Sequence, residues 1–343
     1  MTQSSSLLRR GSRMGMPDGR RLALLAVRYG MLAALLMWIV AMSILSEHFL
    51  TIYNFLNVAR QAAPIIIIAV GMTLVMATGG IDLSVGSLVA LVSVSSAALL
   101  SAGLPIYAVL AIVILIGAAA GAVNGSFVCL GLPPFVVTLS ALVYLRGIAF
   151  VASNGYAVPV SDPVYLEIGR GSLAGIHLPI VIAAVVAVAG WYVLNRTRFG
   201  LHSLAVGGRE EAARVMGLRI TRIKIAVYTL TGALAGLGGV VATARLANGS
   251  PNAGMMMELD VIAAVVLGGT SLFGGVATVG GTVIGALFLN FVRNGLNLQG
   301  VNPFWVQVVS GFILLLAVLL NTVANRRIEE WARTRPAAEE DEA

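Results

Sequence analysis

The sequence predicts an all-α polytopic membrane protein with about ten transmembrane helices and both termini in the cytoplasm. Three observations carry this expectation. Of 343 residues, 58% are hydrophobic and 11% are charged, against roughly 25% charged in a soluble domain. The apolar residues gather into runs near the roughly 20 residues that cross a bilayer. The basic residues flank those runs: Arg9, Arg10, Arg13, Arg20 and Arg21 precede the first, and Arg326, Arg327, Arg333 and Arg335 follow the last. Arginine and lysine favour the cytoplasmic side, so the two ends share a side and the number of crossings is even.

The runs lie at 29–46, 62–78, 83–101, 105–124, 134–152, 178–195, 225–244, 259–273, 276–293 and 304–322. The first follows an arginine-rich start, as in a signal peptide. Its length, with no secreted domain behind it, favours an uncleaved span. Pro64, Pro105, Pro134, Pro179 and Pro303 stand at or near run starts, where the missing N–H of a first helical turn costs nothing. From a cytoplasmic start, 47–60, 153–177 and 245–258 fall outside and 196–224 falls inside. The chain then divides into a basic arm (1–28), a membrane domain (29–323) and a tail (324–343). Neither end is long enough to build a core.

Small residues organise the runs further. Gly117, Gly121 and Gly125 recur every four residues, as do Gly232 with Gly236 and Gly281 with Gly285. This spacing lets helix backbones approach closely, and intramolecular packing accounts for it. Two glycine-rich breaks interrupt the pattern, Thr78–Gly86 and Gly268–Gly275, the latter running on to Gly280-Gly281. Interrupted segments in two halves of a membrane chain point to a transport pathway and to a diverged internal repeat.

The chemistry of enzymes is absent from the sequence pattern. There is no nucleophile elbow, zinc-protease motif or phosphate loop. Cys129 is the lone cysteine, and His48, His177 and His202 are widely separated, so neither a disulfide nor a metal site is expected. No cofactor is expected either. The net charge of +7 lies in membrane-flanking segments and does not indicate nucleic acid.

Asp82 is the sole acid between Glu47 and Asp162. It reads either as a cap on the following helix or as a polar group on a pathway. Glu258 and Asp260 open the eighth run and read as caps at the outer interface or as contacts for an external partner. Arg146, between apolar runs, reads as a snorkelling or structurally paired cation, or as a substrate contact. The loop at 196–224 is the longest polar stretch between runs and carries Arg196, Arg198, Arg209, Arg214, Arg219, Arg222 and Lys224. Its 209–219 segment predicts a short amphipathic helix. Ala212, Val215, Met216 and Leu218 supply an apolar surface, and Ala213 with Gly217 leave a groove. Such a helix either docks into a partner or lies on lipid headgroups.

At these residues the chain resembles the permease subunits of bacterial ABC importers for ribose and related monosaccharides. The resemblance rests on Gly79–Ser87, Gly207–Gly217, Pro251–Gly254, Glu258–Ser271 and Asn294–Leu298, in that order, and covers about 49–321. It implies an inner-membrane subunit that pairs with a second copy or paralogue. A periplasmic sugar-binding protein would deliver substrate, and a cytoplasmic ATPase subunit would drive transport. It also implies that Glu211, Ala212, Ala213, Arg214 and Gly217 couple to the ATPase, and that Asp82, Ser84 and Asn124 lie near the pathway. The chain departs from the family pattern at Arg209 (commonly Asn), Ser310 (commonly Lys) and Asn321 (commonly Asp). The alternative class is a stand-alone secondary transporter or channel, but a proton-coupled carrier needs titratable groups in several spans, and Asp82 has little company.

Overall fold

The computed structural model describes the backbone over residues 18–333 and side chains over 30–319, 321 and 322. The arginines at 9, 10, 13 and 335 lie outside the described residues. The chain folds as α1 (Asp18–Leu45), α2 (Ile52–Ala77), α3 (Val85–Ser101), α4 (Ile106–Cys129), α5 (Pro134–Ala152), α6 (Pro163–Arg170), α7 (Leu178–Arg196), α8 (Arg198–Gly208), α9 (Glu210–Val215), α10 (Ile220–Leu246), α11 (Met257–Leu267), α12 (Val279–Leu298) and α13 (Pro303–Arg333). Two antiparallel pairs of two-residue strands complete it: β1 (Val158–Pro159) with β4 (Asn248–Gly249), and β2 (Ser172–Leu173) with β3 (Ile176–His177).

Among the described residues, six helices are long and apolar enough to cross a membrane: α2, α4, α5, α7, α10 and α12. Three shorter apolar helical stretches lie at Gly30–Leu45, Val85–Ser101 and Pro303–Leu319. The run at 259–273 differs from expectation. It is helical only to Leu267, after which Gly268 and Gly269 turn the chain. Eleven residues give a rod of about 16 Å, half the thickness of a bilayer core.

Pro64 also departs from the sequence reading, since it lies inside α2 rather than at its start. The helix begins at the N-cap Thr51, whose side chain accepts from the Asn54 N–H at 3.2 Å. Its polar opening turns (Tyr53, Asn54, Asn57, Arg60, Gln61) read as a loop in the sequence.

Burial separates centre from periphery. The most apolar window of α2 is 83% buried and that of α10 is 61%, whereas those of α4, α5 and α7 are 22–28% buried. An all-round apolar helix belongs in a core, and α2 takes that place, packed by α10, α12, α7 and α11. The weakly buried helices turn Leu115, Val143, Val185 and similar side chains outward.

The four-residue glycine spacings serve contacts within this chain. On α4, a Cβ at Gly117 would collide with the carbonyl of Gly232, and one at Gly121 with that of Tyr228. A Cβ at Gly232 would strike Gly117 in return. Gly281 and Gly285 of α12 abut Gly268 and Ala264 of α11 in the same way. The colliding atoms are backbone and cannot rotate aside. Gly121→Val therefore lowers stability by about 2 kcal/mol or more, read as a fall in thermal unfolding temperature in detergent. Gly147→Ala, on the outer part of α5 where an added Cβ meets nothing within 4 Å, raises stability by up to about 1 kcal/mol.

Candidate functional site

The first break, between α2 and α3, is a buried polar knot. Gly79, at φ +77°, takes a conformation open to glycine, and its N–H and that of Gly80 close the end of α2 onto Met76 and Val75. Asp82 Oδ1 then accepts from the Ser84 N–H at 2.9 Å and the Ser84 hydroxyl at 2.6 Å. Asn124 Nδ2 on α4 donates to Ser84 Oγ at 3.0 Å. The Ile81 carbonyl accepts from Thr138 Oγ1 on α5 at 3.2 Å and faces the Tyr228 hydroxyl on α10 at 3.5 Å. The knot thus ties α3 to α4, α5 and α10.

Asp82 and Ser84 are fully buried and Asn124 is 1% exposed. The structure brings these three pathway candidates together but gives them no free surface in this conformation, and their contacts are structural. The cap reading is refined: Asp82 serves the single N–H of Ser84, and Asp82 Oδ2 is buried without a partner. Ser84→Ala removes a donor from Asp82 and an acceptor from Asn124. It lowers stability by about 1–3 kcal/mol in thermal unfolding, whereas Ser126→Ala on the exposed side of α4 leaves it within about 0.5 kcal/mol.

The polar loop at 196–224 holds two helices rather than one over 209–219. Thr197 caps α8 by accepting from the Gly200 N–H at 3.3 Å. Arg209 then extends the chain and α9 begins, with no side-chain bond at its N-cap. The Arg209 side chain has no oxygen of the kind that such a cap uses. The α9 helix stops at Gly217, at φ +79°. The Leu218 N–H returns to the Ala213 carbonyl at 3.1 Å and the Gly217 N–H to the Arg214 carbonyl at 3.0 Å, the paired bonds of a glycine-terminated helix. Ala213 is fully buried, so it anchors α9 instead of lining a groove with Gly217. The outward face belongs to Glu211, Arg214, Val215 and Met216, with Val215 at 89% exposure. Ala212 is half-buried.

Glu210 clamps this segment. Its carboxylate accepts from Lys224 Nζ at 2.7 Å and from Arg214 at 3.2 Å. The hydrogen bond from Lys224 above all, opposed by burial and reinforced by the charges of Lys224 and Arg214, holds the Glu210 carboxyl below the usual range. The clamp is therefore intact above the ordinary glutamate value of about 4.3 and is lost as pH falls through the lower folded value. Solvent limits its worth to about 1 kcal/mol. Hydrogen exchange of α9, corrected for intrinsic rates, rises below that pH in the wild type and is pH-independent in Glu210→Gln. Beside the clamp, a cleft of about 790 Å³ separates the α4–α5 turn from the start of α10, with Cys129, Pro133, Arg214, Arg219 and Arg222 in its walls.

A junction that sequence reasoning missed lies behind α9. A Cβ on Gly207 would meet the Ala77 carbonyl and the Gly275 nitrogen, and one on Gly274 would meet Gly207 and Gly79. The Gly275 N–H donates to the Ala77 carbonyl at 3.1 Å. Both glycine-rich breaks and the polar loop thus touch through main chain. The glycine pairs were visible in the sequence; their convergence was not.

The 245–258 stretch is also reassigned. After Ala247 (φ 56°) the chain runs back along α3, packed on one side and exposed on the other at Asn252, Met255 and Met256. Gly249 abuts Ser93 and Ala97, and Gly254 abuts Gly86 and Val89. Glu258 is 8% exposed and its carboxylate packs on Gly86. Asp260 forms a two-pronged ion pair with Arg293 of α12, whose Nε donates to Ser310 at 3.2 Å. Asp260 is thus engaged within the chain, whereas Glu258 is buried with its Oε2 lacking a hydrogen-bond partner, so neither carboxylate stands on an exposed surface of this conformation. Arg146 is structurally paired: it donates to the carbonyls of Pro251 (2.9 Å), Ala253 (2.7 Å) and Gly254 (3.3 Å). Near Asp260, a cavity of about 420 Å³ is lined by Gln61, Arg245, Asn290 and Arg293 on one hand and by Val58, Ile65 and Val306 on the other. Asn321 donates to the Thr270 carbonyl at 3.1 Å. Among the described residues, no three histidine, cysteine or acidic side chains gather as a metal site.

Residues 54–318 match the family described as branched-chain amino acid transport system / permease component. The ribose import permease protein RbsC of Escherichia coli K12 is 44% identical over 295 residues, covering 84% of this chain and 92% of the relative. RbsC of Bacillus subtilis 168 is 42% identical over 299 residues, 86% of this chain and 92% of the relative. The L-arabinose ABC transporter permease protein AraH of Azospirillum brasilense is 39% identical over 295 residues, 86% of this chain and 87% of the relative. No solved structure matches.

Proposed function

We propose a function that starts from one fact: this chain belongs to the family of branched-chain amino acid transport system / permease components. It is the membrane-spanning subunit of an ABC importer for a sugar of the ribose and arabinose class. ATP hydrolysis belongs to a separate subunit. The observation that carries the substrate class is 44% identity with a ribose import permease over 84% of the chain, joined by an arabinose relative at 39%.

In this reading the chain lies in the bacterial inner membrane, in contact with lipid along α4, α5 and α7. It crosses ten times with both ends cytoplasmic. One crossing joins the half-length α11 to the segment before it. A second copy or a paralogue completes the pathway, and a periplasmic binding protein delivers the sugar. The cytoplasmic ATPase receives α9 through Glu211, Arg214, Val215 and Met216, with Ala213 and Gly217 holding the helix in shape. Movement of α9 reaches both helix breaks through the Gly207 junction, so nucleotide state and pathway shape are alternatives of one equilibrium. Asp82, Ser84 and Asn124 serve as the fixed support beside the pathway.

The test is co-expression with the cognate ATPase and binding protein. The ATPase co-purifies with wild type and is lost when Glu211→Arg is combined with Val215→Asp. Cells carrying the complete set accumulate labelled D-ribose or L-arabinose and exclude L-leucine. An ATPase that never co-purifies, or accumulation of leucine alone, would overturn the reading.

A further inference from the structure

The segment between α10 and α11 is non-helical and packs along α3. Gly254 packs on Gly86, and α3 ends at Ser101. That separation corresponds to roughly 22 Å along the helix axis; with Ser101 at the outer face, as the ten-crossing reading above has it, the segment reaches past the middle of a hydrocarbon layer about 30 Å thick.

The inner side of this segment is fully tied down. Arg146 takes three of its carbonyls, as described above. The Ser250 N–H donates to Ser93 Oγ at 3.2 Å, the Asn252 N–H to Ser250 Oγ at 3.2 Å, the Ala253 N–H to the Ser250 carbonyl at 3.0 Å and the Met257 N–H to the Gly254 carbonyl at 3.1 Å. Its other side is bare. Asn252 is exposed, Met255 is 62% exposed and Met256 is 56% exposed. Met256 is also held at φ +62°, a region that a side chain with a Cβ rarely occupies and that clusters at functional sites.

Acyl chains offer no partner to an amide side chain or to irregular backbone. Such a segment persists at this depth where it is covered by protein or lines a water-filled route. A lipid-facing role is served elsewhere by the smooth apolar faces of α4 and α7. The bare face instead presents one hydrogen-bonding amide between two thioethers. That set suits a small polyhydroxylated ligand, with the amide meeting hydroxyls and the soft sulfurs meeting C–H faces.

We propose that Asn252, Met255 and Met256 form the constriction through which the sugar passes, with the same three residues of a second copy opposite them. This rests on the importer reading above and assigns that importer's contact residues. Arg146 is then a positioning residue: it reaches the ligand only through the carbonyls that it holds.

The experiment uses the complex of permease, ATPase and binding protein in lipid vesicles. Cys129→Ala removes the chain's one thiol, and single cysteines are placed at Asn252, Met255 and Met256, with Leu115→Cys on the exposed face of α4 as the lipid-facing reference. The probe is a negatively charged, water-soluble methanethiosulfonate. The three positions should react at least tenfold faster than Leu115→Cys, and trapping the ATPase in its nucleotide-bound state should change those rates at least threefold. In the unmodified chain, hydrogen peroxide should oxidise Met255 and Met256 to sulfoxides at least tenfold faster than Met37, an exposed residue of α1, as read by mass spectrometry. This second measurement needs no variant to fold. Rates equal to the lipid-facing references in both experiments would overturn the proposal. Co-purification of the ATPase does not depend on this segment, so loss of that result would strike the importer reading alone.

Discussion

Hydrocarbon supplies no hydrogen-bond partner, and that constraint governs this molecule. Wherever a helix stops inside the membrane, its loose backbone groups must find partners within the chain. Among the described residues, two of the interruptions between helices are closed by specific devices. At the first, a carboxylate, a hydroxyl and an amide close upon one another across α3 and α4. At the second, one guanidinium gathers three carbonyls.

Close backbone packing is the second consequence. Lipid tails do not drive apolar helices together as water does, so association relies on dispersion contacts and on small residues. The contact between α4 and α10 is built that way, from Gly117, Gly121 and Gly125 against Gly232 and Gly236. It uses one narrow face of α4 and leaves the rest of its circumference exposed, which is why the most apolar window of a span-length helix is only 22% buried.

The sequence was legible wherever a property is local. Apolar runs marked the helices because span length is a composition effect. The glycine spacing marked the α4–α10 contact because four residues bring side chains onto one face. Gly217 stood out in the sequence, but as part of a groove rather than as a helix stop. A glycine in a helical pattern looks like a groove, and only the return of the Leu218 N–H to Ala213 identifies it as a stop. Pro64 misled for a related reason, since polar opening turns disguised the true start of α2. Glu258 and Asp260 were placed at the surface because acids beside an apolar run usually sit there. Their burial depends on the chain doubling back along α3, which is a tertiary event with no local signature. The junction at Gly207 was likewise hidden, because it joins three segments far apart in sequence.

That junction is made of main chain pressed against main chain, with one hydrogen bond across it, from Gly275 to Ala77. Van der Waals repulsion is steep, whereas each pair of touching atoms attracts by only about 0.1–0.2 kcal/mol. A contact of this kind is stiff in compression and weak in tension. Displacement of α8 and α9 toward the breaks would be transmitted almost undiminished, while displacement away would part the surfaces. The linkage works like a pushrod, and the return stroke must come from elsewhere in the helix bundle.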